Sequence, residues 1–300
     1  MAERSQAALR FGGFVAGMVV LLAGSVAVGK AVGPISYIQT AAEGHGAIGH
    51  HNDGYNHHEG GPSDAQGLIP ALDGYTLVPR TPRVAAGKKA AYTYTVMGRD
   101  KKPIRGFTPQ QGWEMNVLVV RRDFGVFHHI RPKQVATGTF RLDLPALAAG
   151  PYRVLVDVAP VGYGRPLTLG ADLEVTGKYV AKPAPPPGRT MKTGPYEVAV
   201  DGDLIPETLN KLTVRFSREG KRLRDMEPYQ ASYAHVAVLR VGDLGQLRVN
   251  PIDAQKETGD GEITTQVEIP GPGAYVMFVE FSHRSARHVV AMTFVAEEAQ

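Results

Sequence analysis

The stretch RGFTPQQGWEMNVLVVRRDFGVFHHIRP, Arg105 to Pro132, returns 119 positions later as RDMEPYQASYAHVAVLRVGDLGQLRVNP, Arg224 to Pro251. The two align without a gap, with Arg105 on Arg224, Pro109 on Pro228, Gln111 on Gln230, Val117 on Val236 and Pro132 on Pro251. Downstream, AAGPYRVLVDVAP answers GPGAYVMFVEFSH with the offset grown to 123, which sets Gly150 on Gly273 and Tyr152 on Tyr275. Upstream, DGYTLVP at Asp73 and GPYEVAV at Gly194 open the two copies. An internal repeat over about a hundred residues makes each copy one structural unit.

Each copy reads as a series of short strands. In the first these are AYTYTVMG, NVLVVRR, GVFHHI, GTFRLDL, PYRVLVDV and LGADLEV; in the second YEVAV, KLTVRFS, HVAVLRV, EITTQVEI, AYVMFVEF and HVVAMTFV. They are rich in Val, Tyr, Phe and Thr, several alternate with period two, and Gly, Pro, Asp and Asn separate them. About seven strands in a hundred residues predict an all-β chain of two tandem β-sandwiches with immunoglobulin-like (Ig-like) topology. The chain has no Cys, so neither sandwich carries an inter-sheet disulfide and packing alone must hold it.

Outward from the copies, the chain divides further. VAKPAPPPGR is a Pro-rich stretch expected to be extended and stiff. MAERSQAALR is followed by FGGFVAGMVVLLAGSVAVG, Phe11 to Gly29, an uncharged apolar run long enough to cross a bilayer as a helix. Arg4 and Arg10 favour a cytoplasmic N-terminus, and a cleaved signal peptide is the competing reading; both export the rest of the chain. The expected organisation is an anchor or signal peptide over 1–33 and a His-rich linker over 34–72. Sandwiches over 73–179 and 192–300 follow, joined by a linker at 180–191. The expected location is the cell membrane, single-pass, with the domains outside the cytoplasm. The formal charge of +4, with basic residues scattered, shows no footprint for nucleic acid.

The segment GHGAIGHHNDGYNHHEGG, Gly44 to Gly61, holds five of the ten histidines: His45, His50, His51, His57 and His58. It has too little apolar surface to form a core. Imidazoles clustered on such a chain suit copper or zinc, and a solvated spacer is the alternative. In the second copy, SHRSARH places His283 and His288 across an expected hairpin, with His235 joining them if the sandwich brings its strand end alongside, so these three are further candidate ligands; strand-end residues pairing with solvent or with carboxylates such as Glu280 are the alternative. In the first copy, His128 and His129 are adjacent strand residues that point to opposite faces and cannot chelate one ion from a regular strand. Trp113 and Met115 read as packing residues. No nucleophile elbow, phosphate loop, H-E-x-x-H motif or Cys-His pair is present, so the chain is expected not to be an enzyme and to need no organic cofactor.

At LRDMEPYQASYAHVAVLRVGDLGQLRVNP and VEIPGPGAYVMFVEFSH the chain resembles actinobacterial membrane-anchored or secreted His-rich proteins with duplicated Ig-like domains, often described as heavy-metal-binding. In that resemblance the pattern's first His falls on His235, its last on His283 and its Asp on Asp243. Arg248 and Asn250 stand where the pattern has two histidines. In the first copy His129 is kept, while Arg131 and Asn116 replace the others. Two functions follow as expectations: transition-metal binding or buffering through the His-rich segment, or an envelope protein interaction or scaffold role with no metal. The expected partners are the membrane and an envelope protein.

Overall fold

The computed structural model describes residues 66–110, 113–230, 232–252 and 258–297. The expected anchor, and the tract holding His45, His50, His51, His57 and His58, lie outside the described residues. Among the described residues no helix is long and apolar enough to cross a membrane. The described chain is all-β.

The first half runs β1 (Ala71–Leu72), β2 (Tyr75–Pro79), β3 (Arg83–Ala85), β4 (Ala90–Met97), β5 (Met115–Arg121), β6 (Phe127–Ile130), β7 (Lys133–Ala136), β8 (Thr139–Leu144), β9 (Gly150–Val158) and β10 (Leu167–Thr176). These form two sheets, ordered β1-β2-β4-β8-β7 and β3-β10-β9-β5-β6. The second half runs β11 (Thr190–Thr193), β12 (Tyr196–Asp201), β13 (Leu209–Arg218), β14 (Lys221–Arg222), β15 (Ala234–Arg240), β16 (Gln246–Leu247), β17 (Val249–Ile252), β18 (Glu262–Glu268), β19 (Gly273–His283) and β20 (Ala286–Ala296). Its sheets are β11-β12-β13-β18-β17 and β16-β15-β19-β20, with β14 beside β13.

The topology is Ig-like on the chain's own pairing. In the first half β3 runs parallel to β10 while every other neighbour is antiparallel, as when the first strand of such a sandwich switches sheets. In the second half the Pro-rich stretch takes that place: Thr293 N–H donates to the Pro186 carbonyl at 3.0 Å, and Pro187 bridges Thr293 in parallel. Both halves also carry a tyrosine corner. Tyr152 donates its hydroxyl to the Ala148 carbonyl at 2.8 Å, and Tyr275 donates to Gly271 at 2.7 Å. Gly150 and Gly273, the matched residues just before, have φ of 139° and 144°, a region that L side chains rarely enter.

Register repeats with the sequence offsets. Val117 pairs with Val156 in the first half, and Val236 with Val279 in the second, which are the same positions shifted by 119 and 123. The loops preceding β5 and β15 each close on an isolated bridge, Gln110 to Trp113 and Tyr229 to Ser232, again 119 apart.

Each half has its own core. Tyr92, Tyr94, Phe140 and Leu142 from one sheet meet Val117, Val119, Tyr152 and Val154 from the other. In the second half Tyr196, Val198 and Phe216 meet Met277, Val279 and Phe281. A third core lies between the halves. Leu118, Val120, Phe124 and Leu155 pack against Ala237, Leu239, Leu244, Val276 and Phe278, all buried. Sheet β3-β10-β9-β5-β6 therefore faces β16-β15-β19-β20, and Phe127 stacks on Phe278 with centroids 4.3 Å apart and planes at 11°. Alternate residues of β5 and β19 serve two cores, which is why both strands read as unbroken apolar runs instead of alternating ones.

Candidate functional site

Polar groups border the shared core, and the repeat sets them in related places. Asp157 on β9 and Glu280 on β19 are matched by the 123 offset, and each carboxylate reaches the opposite half. Asp157 accepts from Gln246 Nε2 at 2.9 Å and from Thr168 Oγ1 at 2.5 Å. Gln246 also exchanges two backbone hydrogen bonds with Gln66, at 2.8 and 2.9 Å. Glu280, 1% exposed, lies 3.4 Å from His129 Nδ1 and forms an ion pair with Arg287. A buried carboxylate is tolerated only with such partners. Desolvation raises the pKa of Asp157, with the Thr168 and Gln246 hydrogen bonds acting against it.

His235 faces Glu280 in register across β15 and β19. Its Nε2 is 2.8 Å from the Tyr229 carbonyl, and its ring lies edge-on to His129 with centroids 4.9 Å apart. Burial, with the nearby His129 second, pushes its pKa down to about 4, so the ring is neutral near pH 7 and donates to Tyr229.

His283 and His288 lie elsewhere. The hairpin of β19 and β20 turns at Arg284 and Ser285, both at positive φ (54° and 57°), the geometry of a two-residue primed turn. It brings both imidazoles to Tyr196: the Tyr196 hydroxyl is 2.8 Å from His283 Nδ1, and its ring centroid is 4.2 Å from that of His288. His283 Nε2 meets Asp225 at 3.1 Å. His288 has its pKa lowered, chiefly by burial. His235 pairs with Glu280, three residues before His283, so the two histidines project from opposite faces of the sheet. The structure thus joins His283 to His288 and places His235 with His129. Among the described residues no group of three or more His, Asp or Glu is arranged to hold a metal ion.

Two clefts open along the junction of the halves. The narrower, about 180 Å³, contains Asn116, His129, Asp157, His235, Gln246 and Asn250. The wider, about 1180 Å³, is walled by Lys89, Trp113, Arg131, Arg141, Tyr229 and Arg287. They hold repeat-matched positions: under the 119 offset, Arg131 of the wide cleft corresponds to Asn250 of the narrow one, and Tyr229 to Gln110. Sequence reading placed Trp113 in packing. It is instead 39% exposed, with the Arg131 guanidinium lying on its ring.

Residues 190–298 match the model of a Domain of unknown function (DUF8832). No curated protein matches the chain. Among solved structures, a titin A168–A169 fragment is 15% identical, covering 74% of this chain and 96% of that one at a TM-score of 0.21. The Escherichia coli adhesin FdeC is 15% identical, covering 75% and 65% at 0.25. Domains 4 and 5 of the S-layer protein SbsC are 11% identical, covering 74% and 96% at 0.24.

Proposed function

We propose that this chain is a non-enzymatic, extracytoplasmic interaction protein in which two Ig-like sandwiches act as one module that engages a protein partner. The apolar core shared by the halves carries this reading. Independent tandem domains need no such core, and inter-domain contacts within a chain are ordinarily polar and mobile. A buried apolar core fixes the relative placement of the halves and creates composite clefts that neither half has alone. The apolar run from Phe11 to Gly29 supports anchoring to the membrane. Cross-linking followed by affinity capture of the full chain tests the reading: a defined protein should be retained by the wild type and lost when the shared core is disrupted by Phe278→Ala. Equal capture by both overturns it.

A second reading rests on the five histidines between His45 and His58. In it the tract holds copper or zinc for the anchored module, with affinity falling as imidazole protonates below about pH 6.5. Titrating Cu(II) and then Zn(II) into the full chain, with and without residues 44–61, tests it. Affinity unchanged by the deletion overturns it, and binding by the shortened chain would move attention to His235, His283 and His288.

A further inference from the structure

The two clefts differ in how far their polar groups are satisfied. In the narrow one the charged group has internal partners, since Asp157 holds Thr168 and Gln246, whose backbone is bridged to Gln66, although Gln246 Oε1 has no hydrogen-bond partner among the described residues. In the wide one, Asn250 of the second copy is replaced by Arg131 of the first, and the new charge has no acceptor among the described residues. None of the three guanidinium nitrogens of Arg131 has a hydrogen-bond partner among the described residues, and all three are shut off from solvent. A guanidinium left so is costly, since its donors have lost water and gained nothing in exchange. The indole of Trp113 supplies a stacking surface but no lone pair.

The surroundings of Arg131 point to the ligand it lacks. Lys89, Arg141 and Arg287 share the cleft, against one lining carboxylate, Asp143, which is already paired with Lys133 at 2.9 Å and Arg141 at 2.9 Å. The same wall also carries the apolar Ile130, Leu144 and Pro145. At about 1180 Å³ the space exceeds the range of about 300–1,000 Å³ usual for small-molecule pockets. A cleft lined by both cationic and apolar side chains suits a segment that carries both acidic and apolar side chains. A planar fork of donors suits a carboxylate taken bidentately.

We propose that the wide cleft is where the partner protein docks, through an acidic segment whose carboxylate pairs with Arg131 after displacing the indole of Trp113. This rests on the interaction reading above and adds to it the chemistry of the partner. Trp113 is the only tryptophan of the chain, so its emission reports occupancy directly.

The test titrates the full chain, following Trp113 emission, with a capped ten-residue peptide alternating Glu and Leu. The same peptide with Gln for Glu, and polygalacturonate as a non-peptide polyanion, serve as comparisons. The Glu peptide should give a saturable change that weakens with added salt, and the Gln peptide none. Arg131→Gln should weaken binding by about 10- to 100-fold, the range for a hydrogen bond to a charged group. Arg131→Lys should fall between. Lys89→Gln, at an exposed site where folding is not at stake, should cost a few-fold. Equal response to the Glu and Gln peptides, unchanged affinity in Arg131→Gln, or saturation by polygalacturonate at lower concentration would each overturn the proposal. A captured partner that binds Arg131→Gln as well as wild type would overturn the cleft assignment and leave the interaction reading standing. Peptide binding with no protein captured by the full chain would overturn the interaction reading and leave the acidic-peptide specificity of the cleft.

Discussion

Replacing Phe278 by Ala should uncouple the two halves without damaging the core of either. Phe278 is 2% exposed and belongs to the shared core, whereas its neighbours Met277 and Val279 belong to the core of the second sandwich. Removing a buried Phe side chain costs about 3–5 kcal/mol, in which the lost stack on Phe127 contributes about 1 kcal/mol. A two-sandwich module of this size should have a guanidinium m-value of about 4–6 kcal/mol/M, so the midpoint should fall by roughly 0.5–1 M. Two probes read the outcome. Trp113 lies in the first half, while far-UV circular dichroism reports strands of both. In wild type the shared core makes the transitions coincide; in Phe278→Ala they should separate, since the second sandwich can then unfold alone. Transitions that already diverge in wild type, or a loss under about 1 kcal/mol in the variant, would refute the coupling.

Three further outcomes follow from local geometry. His235 has a folded pKa of about 4 against about 6.5 unfolded, so the unfolded state binds the extra proton. Stability should fall by up to about 3 kcal/mol from pH 6.5 to pH 4. Asp157, with its pKa raised, acts in the opposite sense, and His129, Glu280 and Arg131 face the same ring. His235→Gln should flatten the slope across that window in urea melts, and an unchanged slope would exclude His235 as its source. Tyr152→Phe and Tyr275→Phe should each cost about 1 kcal/mol by removing a tyrosine-corner hydrogen bond, read as a shift in urea midpoint; no shift would mean the corner contributes only packing. Ser285→Gly should stabilise by about 0.5–1 kcal/mol in the same melts, because φ of 57° suits Gly better than Ser while the Ser285 N–H bond to Glu227 needs only the backbone; destabilisation would contradict this account of the turn.

What could be read from the sequence, and what could not, divides along one physical line. A strand's identity and its partner in a repeat are local properties. NVLVVRR, PYRVLVDV, HVAVLRV and AYVMFVEF therefore announce themselves, and Tyr152 and Tyr275 mark the same corner twice. Which way a strand faces depends on register, and register depends on turns whose geometry one sequence does not state. His235 and His283 both sit at strand ends in the second copy, yet pairing of His235 with Glu280 puts them on opposite faces. The hairpin expected at SHRSARH does bring His283 and His288 together, and what the sequence leaves unstated is that Arg284 and Ser285 form its two-residue turn at positive φ. The junction between the halves did leave a trace. In Val117-Leu118-Val119-Val120 and Val276-Met277-Phe278-Val279 no residue alternates to polar, and a sandwich strand with one solvated face should alternate. An unbroken apolar run in an antiparallel sheet means that both faces are covered, and in a duplicated chain whose copies both carry such runs the simplest cover is the other copy. The same reasoning singles out Glu280. A carboxylate inside AYVMFVEF must find partners where it is buried, and it meets Arg287 of its own half and His129 of the covering one. Arg131 is the converse case: it follows β6 with no acidic residue within two positions in sequence, and only the fold shows that no acceptor among the described residues comes to it from a distance. Sequence can thus mark which charges must find a partner, while the structure marks a buried guanidinium with none among the described residues, and that difference makes the wide cleft the place to look for what this protein binds.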